Sequence, residues 1–196
     1  PWRFDLARIQ RRVDAAAGQF PKNRLVKHLS RCALSYSCRA AQNFFLGRFE
    51  APLPTARSCN AACLGCISAE QEGGTTASHD RIAFVPTAAE VAEVALTHAR
   101  RVKRAVVSFG QGCEGEPLTR APVLEDAVRR IRTGGGTGTL NLNSNASRPD
   151  AIEALFAAGI DSIRISLNSA RKVPYEAYHR PVGYRFEDVE ESARRV

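Results

Sequence analysis

The sequence predicts an α/β protein built on a parallel sheet, and three observations carry that reading. From residue 50 onward, short apolar runs alternate with amphipathic helical patterns in four units of roughly thirty residues, as right-handed strand–helix crossovers require. The helical patterns carry start and stop signals at their ends. Every unusual polar stretch follows directly on a strand, the position where such sheets gather their chemistry. Two architectures satisfy these observations: an open doubly wound sheet, or an arc of a β/α barrel.

Taken in order, residues 1–49 read as a basic helical extension. "DLARIQRRVDAA" and "NRLVKHLSR" space their apolar residues helically and turn Arg and Lys to the other face. "FEAPLPTARSC" is a short first strand that runs into a cysteine loop. "VPTAAEVAEVALTHARRVKR" is a helix opened by a capping box from Thr87 to Glu90 and closed by four cations that suit its negative end. "AVVSF" is an apolar second strand, and "APVLEDAVRRIR" a second helix ended by the flexible connection "TGGGTG". "TLNLN" is the third strand, "SRPDAIEALFAAG" a helix with Ser147 as N-cap and Gly159 after its end, and "DSIRISL" the fourth strand. "HRP" with "GYRF", His179 to Phe186, forms a rim loop beyond it, and "YRFEDVEESARRV" returns to a helical pattern.

Composition sets the outer limits. The chain has 196 residues, 44% hydrophobic and 24% charged, which excludes disorder as the default. No apolar run approaches the ~18 residues of a membrane span, and the first twenty residues lack the apolar centre of a secretory signal. A cytoplasmic protein with reduced thiols is expected, in which clustered cysteines favour metal over disulfide. The chain starts at Pro1, contains no methionine and ends inside a helical pattern, so truncation at both ends is expected. Net charge is +8, and all of the excess lies in the first 58 residues, where 11 Lys and Arg face 3 Asp and Glu; beyond them the counts are 17 and 17. A basic arm of this kind is either a solvated helical extension or a steering surface for a polyanion such as RNA.

The sharpest local signal is "SCNAACLGCIS", residues 58–68, with Cys59, Cys63 and Cys66 spaced C-x3-C-x2-C. A structural zinc site needs four ligands and a redox C-x-x-C only two, and ordinary iron–sulfur sites use four thiolates. Three thiolates on a cuboidal cluster would leave one iron free for a ligand. An alternative of another class is a zinc-binding interaction module, RNA-associated through its basic arm, with Cys113 or a histidine completing the set.

The spacing, its place after a first strand and the downstream "GEP" together resemble the radical S-adenosylmethionine enzymes over residues 50–185. The resemblance implies a [4Fe–4S] cluster on Cys59, Cys63 and Cys66, whose open iron chelates S-adenosylmethionine. It implies an enzyme that makes a 5′-deoxyadenosyl radical to abstract hydrogen from an unknown substrate, with an electron donor such as flavodoxin or ferredoxin. It also implies a partial β/α (TIM-like) barrel, the first four units of six, over residues 50–196. "EGEP", Glu114 to Pro117, is similar to the family's GGEP element, so Gly115, Glu116 and Pro117 are expected at the methionine amino group, with Glu114 a departure from glycine. "SNAS" looks like the third-strand TNG element and makes Asn145 a pocket residue, while "ISLNS" brings Ser166 and Asn168 near the ribose. The aromatic residue that often precedes the third cysteine is Gly65 here.

Three features stay outside that scheme. Cys32 and Cys38, with His28 four residues before Cys32, are either a second metal site or packed thiols. Cys113 is expected near the cluster as a structural or solvent-facing thiol. His79, His98 and His179 have no partner pattern.

Overall fold

The computed structural model describes residues 4–196; the first three residues of the expected extension lie outside it. Three helices open the fold: α1 (Leu6–Gln19), α2 (Arg24–Leu34) and α3 (Arg39–Leu46). Asp5 and Asn23 cap the first two, each accepting a backbone N–H from the first turn. The apolar faces are sunk into the protein: Ile9, Leu25, Val26, Leu29, Phe44 and Phe45 are fully buried, and α3 packs on β1 (Glu50–Pro52) while α2 packs on α4 (Ala88–Arg101).

The capping box of α4 forms as the sequence predicts, with Thr87 Oγ1 accepting from the Glu90 N–H and Glu90 accepting from the Thr87 N–H. Glu90 does more than cap. Its carboxylate also accepts from the Arg24 N–H and guanidinium, and Asn23 donates to Glu93 one turn on, so the extension is latched to the first core helix.

The remaining strands are β2 (Val106–Phe109), β3 (Thr139–Ser144) and β4 (Ser162–Ile165), separated by α5 (Ala121–Thr133) and α6 (Pro149–Ala158). All four strands run parallel in the order β1-β2-β3-β4, with Ala51 beside Val107, Val107 beside Leu140 and Leu142 beside Ile163. Alternation along the strands divides the sheet. Ala51, Val107, Phe109, Leu140 and Leu142 join the core with Val91, Val94, Leu124, Val128, Ile152 and Leu155 of the crossover helices. The opposite face carries a polar ladder across all four strands: Ser108 donates to Glu50 at 2.7 Å, Asn141 to Ser108 at 3.4 Å, and Ser162 to Asn141 at 2.8 Å.

Three sequence expectations change. Ser147 does not cap α6; its hydroxyl accepts from Asn60 and its N–H goes to Asn145, so the helix begins after Arg148 with no side-chain cap. The "TGGGTG" connection is laced by Arg132, which donates to the carbonyls of Gly136, Gly138 and Gly159. Beyond β4 a helix, α7 (Lys172–His179), takes up the start of the expected rim loop, with Pro174 in its first turn, where a missing N–H costs nothing. The final helical pattern is α8 (Phe186–Arg194), with Phe186 and Val189 buried as expected. Among the described residues no helix is long and apolar enough to cross a membrane.

Candidate functional site

The segments that follow the four strands meet at one end of the sheet. The start of the cysteine loop is stitched to the loop after β2: Gly115 N–H donates to Ala56 O at 2.6 Å and Glu116 N–H to Ser58 O at 3.0 Å. A Cβ on residue 115 would run into the Ser58 carbonyl, which is why glycine stands there. The middle of the loop pairs with the end of α7. Ala62 N–H donates to His179 O and Leu64 N–H to Tyr178 O, both at 3.0 Å, and Ala61 bridges Pro181. Asn60 closes the third side, donating to Ser147 and accepting from Asn145.

Glu114, the residue that stands where the family pattern has glycine, organises this end of the sheet. Its buried carboxylate accepts from the Thr55 and Ala56 N–H groups and the Thr55 hydroxyl on one oxygen, and from the Gly110 and Gln111 N–H groups on the other. Burial pushes it up to about 7 against the pull of the Thr55, Ala56 and Gly110 amides. Glu116 is buried too. It accepts from Leu118 N–H, Ser144 Oγ at 2.6 Å and Asn145 N–H at 2.8 Å, so it joins the loop after β2 to the end of β3. Burial raises it as well, opposed by those same donors.

Two of the three cysteines, Cys63 and Cys66, line a cavity of about 270 Å³, and Cys59 is partly buried in the same loop. Its walls include Cys63 and Cys66 after β1, Gly115, Glu116 and Pro117 after β2, Ser144 of β3, Ser166 after β4, and Tyr178 and His179 of α7. Asn145 lies just behind the wall, fully engaged with Asn60, Ser147 and Glu116. Asn168 is exposed, outside the cavity, and donates to Pro174 O at 3.3 Å.

Each thiol has a distinct environment. Burial raises Cys59. Burial pushes Cys63 up to about 11, reinforced by repulsion from Cys59 and Cys66. Burial also opposes ionisation of Cys66, but the Ser68 N–H and hydroxyl and the Arg81 guanidinium, 3.5 Å from its sulfur, outweigh it and lower the thiol. His179 Nδ1 lies 3.2 Å from Cys63 Sγ, while its buried Nε2 has no partner. The sequence marked His179 only as a rim-loop histidine without a partner pattern, because 116 residues separate it from Cys63; the available signal was Tyr175, Tyr178 and His179 at helical spacing on α7. Tyr178 also answers for Gly65: a Cβ at that position would strike the Tyr178 hydroxyl, so an aromatic ring from another element fills the space beside the third cysteine.

This donor set fits a cuboidal iron–sulfur cluster. Among the described residues, the three Sγ atoms are not a group lying within 4.8 Å of one another, whereas a single tetrahedral zinc would draw its thiolates to about 3.8 Å. A cluster holds each thiolate on a different iron. The unpartnered His179 nitrogen beside Cys63 and the glycine-lined wall leave polar and steric room for such a group. The zinc-module alternative finds no support: Cys113 is buried against Cys32 and His28, and although His179 approaches Cys63, among the described residues the loop cysteines join no group of three ligands within 4.8 Å of one another. Its RNA-binding arm also finds none: Arg24 and Arg31 pair with Glu90 and Asp80, and Arg39 and Arg48 lie over the Phe4 ring.

Comparison with known proteins bears on the same segments. A family model described as the Radical SAM superfamily matches residues 53–196. No curated protein matches the chain. Among solved structures, the chain is similar in fold to the X-ray structure of the FeFe-hydrogenase maturase HydG from Carboxydothermus hydrogenoformans. The TM-score is 0.54 at 14% sequence identity, over 97% of this chain and 50% of that one, so the chain spans half the length of that structure.

Proposed function

The chain belongs to the Radical SAM superfamily, and from that premise we propose that Cys59, Cys63 and Cys66 hold a [4Fe–4S] cluster that, with S-adenosylmethionine, serves hydrogen abstraction from a substrate. Proteins of the superfamily use that cluster and S-adenosylmethionine, and membership supports an enzyme of unassigned reaction. The observation that carries the reading is the cavity that Cys63 and Cys66 share with the Gly115–Pro117 segment, with Cys59 on the same loop. When bound, the cluster supplies the electron that cleaves the sulfonium of S-adenosylmethionine to a 5′-deoxyadenosyl radical.

The chain's own residues prepare the site. Glu114 and the Gly115 contact hold the cysteine loop against the loop after β2, which sets residues 115–117 in the cavity wall. Glu116 has three of roughly four carboxylate acceptor positions filled by protein donors, which leaves one for a ligand ammonium group. Ser166 is free to approach a ribose hydroxyl from the β4 side, with Asn145 acting through Asn60 on the loop and Asn168 outside that contact. Tyr178 offers an aromatic face where Gly65 leaves none.

We assign residues 50–196 to the radical SAM core and residues 1–49 to a helical extension. Strand order without reversal supports an arc of a β/α barrel, the first four units of six, with the polar ladder toward its interior. The reaction needs a substrate and a reductant such as flavodoxin or ferredoxin, and six free cysteines favour a reducing compartment such as the cytoplasm.

The test is anaerobic reconstitution with iron and sulfide, followed by electron paramagnetic resonance of the reduced chain. A [4Fe–4S] signal that changes on addition of S-adenosylmethionine is expected, and loss of that signal in Cys59→Ala, Cys63→Ala and Cys66→Ala. A triple variant that keeps its cluster overturns the assignment.

A further inference from the structure

Away from the loop cysteines, a second group of metal-ligating side chains comes together between the extension and the core. His28 and Cys32 stand one turn apart on α2, and Cys113 reaches them from the loop after β2, three residues before Glu116. His28 Nε2 lies 3.4 Å from Cys32 Sγ, and the ligand atoms of all three residues fall within 4.8 Å of one another. We propose that His28, Cys32 and Cys113 form a mononuclear zinc site that fastens the N-terminal extension to the loop carrying Gly115 and Glu116.

The geometry is that of one ion. Zinc–nitrogen and zinc–sulfur bonds of about 2.0 and 2.3 Å at a tetrahedral angle put ligand nitrogen and sulfur about 3.5 Å apart. Spacing of four residues on a helix turns two ligands to one side, as in established zinc helices. Two of the three ligands are buried, and His28 lines a separate cavity of about 340 Å³ that gives an ion a way in. Cys38 stands beside the group. Its N–H donates to Cys32 O at 3.0 Å. The Cys113 carbonyl also accepts from Ile82 N–H, which ties the same loop to the chain between the cysteine loop and α4.

The site is tested on the full chain carrying the Cys59→Ala, Cys63→Ala and Cys66→Ala triple substitution, so that cluster chemistry cannot contribute. The chain is purified anaerobically, its zinc is counted, and after removal by chelator it is titrated with Co²⁺. One zinc per chain is expected, with cobalt giving thiolate charge-transfer and tetrahedral ligand-field bands. His28→Ala is expected to weaken cobalt binding roughly tenfold or more, and Cys32→Ser and Cys113→Ser to abolish the charge-transfer band. If either substitution unfolds the chain, the zinc count and cobalt titration of the triple variant decide the question by themselves. Absence of zinc and of cobalt bands in a chain with native circular dichroism overturns the proposal. So does a Cys32–Cys113 disulfide in anaerobically purified protein, or cobalt bands unchanged in His28→Ala. Loss of the cluster signal in the unsubstituted chain would instead overturn the cluster assignment and leave this site untouched.

Discussion

At the scale of single residues, Glu114 makes the strongest statement. A carboxylate in the middle of a protein is tolerated when donors surround it, and here five donors from two loops converge on its two oxygens. An amide cannot replace it: whichever way Gln is turned, its NH₂ faces the Thr55 and Ala56 amides or the Gly110 and Gln111 amides. Glu114→Gln is therefore expected to destabilise the chain by about 2–4 kcal/mol, the cost of leaving buried donors unmatched, read as a lower urea midpoint at unchanged slope. Loss below 1 kcal/mol would mean that water can reach those amides. The three cysteines were legible in the sequence because their spacing is local. Glu114 and His179 were not, because what defines them is contact with Thr55 and Cys63, at separations of 59 and 116 residues.

Secondary-structure elements were legible wherever signals were local and strong. The Thr87–Glu90 box, the alternation of "TLNLN" and the glycine after α6 all specify structure within one or two turns, and the structure follows them. Ser147 failed as a cap because a tertiary partner, Asn60, took its hydroxyl, and α7 went unread because it is only eight residues long and has no side-chain cap to mark its start. The α4 N-terminus yields a pH prediction. Glu90 is held down to about 2 from an ordinary 4.5, first by Arg24 and then by the Thr87 and Arg24 amides, opposed by burial. A depressed acid contributes stability that is fully present above pH 4.5 and is lost as pH falls through about 2. Unfolding of Glu90→Gln beside the unsubstituted chain should show a deficit of about 1–2 kcal/mol near neutrality, shrinking steadily from pH 4.5 toward pH 2. A deficit that stays constant with pH would assign Glu90 a packing role only.

On the scale of the whole molecule, the basic extension belongs to the same core as the sheet. Its charge pattern describes only its outer face; the inner face puts Leu25, Leu29, Phe44 and Phe45 at 0–1% exposure among the residues of β1 and α4. Covering β1 matters because the order β1-β2-β3-β4 makes it an edge strand, whose unpaired side would otherwise offer a template for association. A large side chain buried in this seam is worth about 3–5 kcal/mol on truncation to alanine, and Phe44→Ala should lower the unfolding midpoint accordingly. Removal of residues 1–49 goes further, since it strips the cover of β1, the Asn23 and Arg24 latch on α4 and both His28 and Cys32 beside Cys113 at once. That deletion is expected to aggregate, or to lose cooperative thermal unfolding and cluster uptake together. A soluble 50–196 fragment that unfolds cooperatively and still reconstitutes its iron–sulfur signal would show that the sheet stands without its cover, and that the extension serves something other than the stability of the rim.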